Sequence, residues 1–163
     1  MKTPSTVITI LLAVPVVLCT GYALAQEAPA LTPFADFSAK AEVQMGSVLT
    51  ERDDTFMVKA TFTLSPQSDG IAPLSEAMTL HVGTFATTIP AGSFKLDESK
   101  LRFKFKGVIA GVALEAMIRP LGDKSFRFRA KGAQVELAGT ANPVTLRLTI
   151  CGDGGSTTVT AED

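Results

Sequence analysis

The chain has 163 residues, with 15 Lys and Arg against 16 Asp and Glu, a formal net charge of −1 and a mean hydropathy of +0.28. So even a balance points to no partner by itself, and one histidine with two cysteines cannot supply a closed zinc site. Tryptophan is absent and Tyr22 is the only tyrosine, so ten phenylalanines carry the remaining aromatic surface, which weakens roles that depend on sugar stacking or Trp/Tyr hot spots.

Met1-Lys2, the apolar run Val7 to Leu18 and Ala23-Leu24-Ala25 have the form of a secretory signal peptide cleaved before Gln26. The run is short for a bilayer and is interrupted by Pro15, so no transmembrane segment is expected in the mature chain, and the expected location is secreted or periplasmic. A lipid-accepting cysteine normally follows a small residue, whereas Leu18 precedes Cys19. Loss of residues 1–25 leaves Cys151 as the one thiol, so no internal disulfide is expected. Such a thiol is expected to sit buried as a small hydrophobe or else to pair with another chain, and since Cys151 falls off the apolar phase of its strand or just past the strand end, the pairing stays open.

Residues 26–36 are expected as a flexible leader and residues 37–163 as one all-β domain. Phe37 to Met45 and Phe56 to Leu64 alternate apolar and polar residues with period two, and these two runs are expected to pair as strands. Met78 to Val82, Phe85 to Ile89 and Ser93 to Leu96 continue the strand signal between turn-rich stretches, and Asp97 to Lys100 reads as a charged tip.

Leu101 to Lys131 gives the clearest pattern, a three-stranded meander. A two-residue turn at Ala110-Gly111 would oppose Ile109 to Val112, Phe105 to Ala116 and Phe103 to Ile118 on one face, and Lys106 to Glu115 on the other. A second turn is expected at Leu121-Gly122-Asp123. Val135 to Leu137, Val144 to Ile150 and Thr157 to Thr160 complete the strands, the last after a glycine-rich turn over Cys151 to Gly155. Short strands without a clear helix predict an antiparallel, meander-rich β-sandwich or barrel. A weak echo between residues 56–91 and 126–161 has two explanations, duplication of a β-unit or the limited vocabulary of strands and turns.

Ser68-Asp-Gly-Ile-Ala-Pro-Leu, Val82-Gly-Thr-Phe, Thr88-Ile-Pro-Ala-Gly-Ser-Phe94 and Thr140-Ala-Asn-Pro-Val144 resemble an uncharacterised group of secreted bacterial all-β proteins, some with the unit in tandem. The resemblance implies the compartment and the fold class. It brings no activity, ligand or catalytic residue.

Enzymatic signals are thin. His81 lies on the polar phase of its strand and no Gly-x-Ser-x-Gly elbow accompanies it. Glu51, Asp53, Asp54, Asp97 and Glu98 are the carboxylates from which a hydrolase pair could be drawn, and Asp53, Asp54 and Asp153 those for a weak calcium site, but neither set has a diagnostic spacing. No phosphate loop or dinucleotide fingerprint occurs, and no cofactor is expected.

Charge distribution says more than net charge. Residues 100–131 hold nine basic and two acidic residues, between flanks in which acidic residues prevail. With the meander phenylalanines turned inward, Arg102, Lys104, Lys106, Arg127, Arg129 and Lys131 must share the wet face, with Arg119 on the strand between them. Such a face suits an acidic polysaccharide, lipopolysaccharide head groups or another polyanion. Specific nucleic-acid recognition is not expected, because no exposed aromatics remain to stack bases. The everyday role of such charges is to block edge pairing and aggregation. The expectation is therefore a non-catalytic binding or surface-structural module, with a carboxylate-dependent hydrolase and a protein self-associating through edge strands or Cys151 as alternatives.

Overall fold

The computed structural model describes residues 30–46 and 53–162. The signal-peptide reading, Cys19 and Glu51 lie outside the described residues. Among the described residues eleven strands follow one another: β1 Thr32–Pro33, β2 Asp36–Gln44, β3 Asp54–Thr63, β4 Met78–Val82, β5 Phe85–Ile89, β6 Lys95–Asp97, β7 Arg102–Ile109, β8 Val112–Gly122, β9 Ser125–Val135, β10 Val144–Ile150 and β11 Asp153–Val159. A single 3-10 turn, Glu98–Lys100, separates β6 from β7.

The strands form a five-stranded sheet in the order β1-β11-β10-β4-β5 and a six-stranded sheet in the order β2-β3-β9-β8-β7-β6. The two pack as a β-sandwich, with no closed barrel. Every ladder is antiparallel except the short β1–β11 pair. Period-two patterning explains the packing directly. Phe62, Ile118 and Phe128 of the six-stranded sheet and Met78, Leu80, Leu148 and Ile150 of the other are almost wholly buried between the layers. Phe62 continues the core sideways, stacking on Phe34 at 4.5 Å and on Phe126 at 5.4 Å between ring centroids. At Gly132 a Cβ would collide with the Phe56 ring, so the glycine makes room for the aromatic.

The meander has the expected register: Ile109 faces Val112, Phe105 faces Ala116, Phe103 faces Ile118 and Lys106 faces Glu115. The turn between β7 and β8 carries positive φ at both Ala110 (50°) and Gly111 (85°), so the left-handed conformation extends beyond the glycine to the alanine. The next turn sits at Asp123-Lys124, further on than expected, because an irregularity between Pro120 and Gly122 lengthens β8 before the chain reverses. Val135 belongs to the end of β9 and is not a separate strand. β11 begins at Asp153, inside the stretch expected as a glycine-rich turn, because Gly154 and Gly155 let Phe34, Phe37 and Leu31 pack against that strand.

The described part of the expected leader is held in place. Thr32 and Pro33 lie beside Asp153 and Gly154, and Phe34 is buried. At the other end of the chain, Glu162 exchanges backbone hydrogen bonds with Ala41 and Val43, covering the β2 edge. Ala60 faces Phe128 in the β3–β9 ladder and Leu80 faces Leu148 in the β4–β10 ladder, and the partners are equally far apart in sequence in both pairs.

Candidate polyanion-binding face

The outer face of the six-stranded sheet is built from the positions that alternate with the core. Because β9 lies between β3 and β8, the cationic row of β9 becomes the centre of this face rather than its margin. Following the register across the strands, Lys40 faces Lys59, Lys59 faces Arg129, Arg129 faces Met117, Met117 faces Lys104 and Lys104 faces Lys95. One line of five cations, interrupted only by a methionine, thus crosses all six strands, a span of roughly 24 Å at the usual strand spacing. In the neighbouring line Arg127 faces Arg119 across the β8–β9 ladder and Thr61 across the β3–β9 ladder.

All seven cations expected on this face, Arg102, Lys104, Lys106, Arg119, Arg127, Arg129 and Lys131, lie on it together. Sequence reasoning missed Lys40, Lys59 and Lys95. Their polar phase was readable, but they sit in an acid-rich region, and only the β3–β9 and β6–β7 pairings bring them onto the same surface.

Three carboxylates answer part of this charge. Glu42 bridges Lys59 at 2.9 Å, Glu115 bridges Lys106, and Asp97 bridges both Lys104 at 2.8 Å and Arg102 at 3.1 Å. The Lys59 ammonium holds the Glu42 carboxyl below its ordinary range, and Lys106 does the same for Glu115 while its own ammonium is pushed up. Asp97 is held far below the usual carboxylate range, first by the Lys104 hydrogen bond and then by Ser99 and Arg102. Among the described residues Lys40, Lys95, Arg119, Arg127, Arg129 and Lys131 make no such bridge.

Several hollows mark the face, and the one of about 600 Å³ holds Glu42 and Glu115 beside Lys106 and Lys131. A groove of about 570 Å³ runs between Met57, Lys59, Lys104, Met117, Arg129 and Lys131. A smaller cleft of about 430 Å³ opens at the β8–β9 turn end, lined by Ser99, Lys100, Arg102, Met117, Arg119, Arg127 and Arg129, with no carboxylate among them. No aromatic residue occupies the outward positions of this sheet among the described residues; Phe103, Phe105 and Phe126 pack on the core.

The other sequence candidates are dispersed. Asp54 accepts hydrogen bonds from the Gly46 amide at 2.6 Å and the Leu137 amide at 2.9 Å, tying two connections to the start of β3, while Asp53 beside it is exposed. Asp97 lies at the opposite end of the sheet from Asp54, roughly 23 Å away along the strand direction alone, too far for the two to act as a glycosidase pair. Glu98 is exposed on the 3-10 turn.

Asp153 does not join Asp53 and Asp54 in a calcium site. It is buried beyond the other end of β3, where Ser68 donates to one carboxylate oxygen at 2.9 Å. Among the described residues no group of three or more His, Cys, Asp or Glu could hold a metal ion. His81 faces Arg147 and Ala86 on the outer face of the five-stranded sheet. Cys151 is a free, exposed thiol in the β10–β11 turn.

Comparison with protein-family models, with curated proteins and with solved structures finds no match to this chain.

Proposed function

We propose that this protein is a non-catalytic binding module that holds a linear polyanion against the outer face of its six-stranded sheet, outside the cytoplasm. The observation that carries the reading is the cross-strand pairing of Arg119 with Arg127, neither of which a carboxylate bridges among the described residues. Beside it stand Lys40 with Lys59, Lys59 with Arg129 and Lys95 with Lys104, pairs in which Glu42 or Asp97 answers one partner and leaves the other free among the described residues. Like charges set directly opposite one another in a ladder destabilise it. Charges that served solubility alone would do so equally well when interleaved with acids. A bound polyanion relieves the repulsion, and one of suitable length engages several cations at once.

The signal-like Met1 to Ala25 stretch supports an extracytoplasmic setting, where acidic polysaccharides and lipopolysaccharide head groups are the natural polyanions. The lack of outward aromatics on this sheet among the described residues argues against single-stranded nucleic acid as the intended ligand.

The test is retention on immobilised heparin as a function of salt, comparing the wild-type chain with an Arg119→Gln, Arg127→Gln, Arg129→Gln variant. Retention of wild type at physiological salt, with the variant eluting at much lower salt, supports the reading. Equal flow-through of both proteins sinks it.

A further inference from the structure

The arginines of the cationic face gather at one end of it. Arg102, Arg119, Arg127 and Arg129 all line the 430 Å³ cleft, with Lys100 at its edge of the sheet, whereas Lys40, Lys59, Lys95, Lys104, Lys106 and Lys131 lie on the rest of the face. Long-range attraction alone needs no such sorting, because either cation supplies it. The two differ in geometry: a guanidinium presents a planar fork of donors, whereas an ammonium is a point charge.

The forks come from three adjacent strands. Arg119 on β8 faces Arg127 on β9, and Arg129 on β9 faces Met117 on β8. Arg102 enters from β7, donating Nε to Asp97 at 3.1 Å and Nη1 to the Met117 sulfur at 3.5 Å. Asp97 already accepts from Ser99, Arg102 and Lys104. It does not line the cleft, so the convergent forks of Arg119, Arg127 and Arg129 face no built-in anion.

Resting on the polyanion reading above, we propose that this cleft is a dedicated subsite for a tetrahedral oxyanion ester, a phosphate or sulfate group carried by a polysaccharide. A carboxylate offers two coplanar oxygens and satisfies one fork. A phosphate or sulfate ester offers three outer oxygens pointing in different directions and can accept from two or more forks together. The lysine line leading away across the sheet then takes the remaining charges of the chain, where fork geometry is not required.

The polymer is favoured over a lipid because the cation line spans all six strands. The exposed Leu101 and Leu121 at the same end of the sheet make a membrane the alternative occupant to be tested.

The experiment compares wild type, an Arg119→Lys, Arg127→Lys variant and the Arg119→Gln, Arg127→Gln variant on heparin, on polygalacturonate, and on phosphatidylcholine vesicles with and without phosphatidic acid. The lysine variant keeps the charge and removes the facing pair of forks, leaving those of Arg102 and Arg129. The expected result is that wild type binds heparin about tenfold more tightly than polygalacturonate, and that the lysine variant loses this preference while its binding to polygalacturonate is unchanged. If the lysine variant matches wild type on both polymers, the subsite is overturned while the polyanion reading stands. If wild type binds neither polymer, both are overturned. Binding to phosphatidic-acid vesicles without retention on heparin would overturn the polysaccharide assignment.

Discussion

Arg119 on β8 and Arg127 on β9 stand directly opposite one another in an antiparallel ladder, and no carboxylate among the described residues bridges either. A ladder selected for stability would place an acid or a short polar residue at one of these positions. Replacing Arg119, Arg127 and Arg129 with glutamine should therefore leave the free protein as stable as before, or more stable by a few tenths to about 1 kcal/mol. Chemical denaturation reads this directly. Added polyanion should raise the melting temperature of wild type and not of the variant. A clearly destabilised variant would mean that the arginines hold the sheet together.

Asp54 tests the hydrolase and calcium alternatives from the other end of the sheet. Its two carboxylate oxygens are occupied by the Gly46 and Leu137 amides. Asp54→Ala should lower stability by about 2–4 kcal/mol in urea unfolding, because two charged hydrogen bonds disappear and leave amides without partners. Asp53→Ala, at an exposed neighbour, should change it by less than about 0.5 kcal/mol. Added calcium should protect neither variant.

The meander was legible from sequence because its information is local. A two-residue turn fixes the β7–β8 register, and a slip by one residue would have put Lys106 and Glu115 among the phenylalanines. The width of the cationic face was not legible. Lys59 meets Arg129 only through the β3–β9 ladder, which joins strands distant in sequence, and period-two patterning is silent about which strands become neighbours. Asp153 was hidden for a different reason. Glycines usually mark turns, but here Gly154 and Gly155 sit in a strand where aromatic and leucine side chains need the space.

Asp97 sets how much of the face is available and how it responds to pH. Its carboxyl is held far below the ordinary range by Lys104, Ser99 and Arg102, so its ion pairs are fully present above the unfolded carboxylate pKa of about 4 and are lost only as pH falls well below it. Glu42 and Glu115 are shifted in the same direction. Binding to a sulfated polymer should therefore be flat between pH 7 and 5. Asp97→Asn should strengthen it at pH 7 by releasing Arg102 and Lys104. Affinity that changes steeply in that pH window would point to a different site.

Ala110 is the residue at which the hairpin turn departs most from its preferred chemistry. With φ at 50° beside Gly111 at 85°, it sits in a left-handed conformation that asparagine or glycine tolerates better. Ala110→Asn should stabilise the fold by about 1 kcal/mol, seen as a higher melting temperature, without altering polyanion retention. A loss of stability would place the turn in another conformation.

The most direct test of the polyanion-binding account is the dissociation constant for a sulfated polysaccharide measured by calorimetry across a range of salt concentrations. With Lys40, Lys59, Arg119, Arg127, Arg129 and Lys131 gathered on one face, the logarithm of affinity should fall linearly with the logarithm of salt, with a slope of roughly −4 to −6. A slope near zero, or no binding at physiological salt, would contradict a functional role for the cationic face.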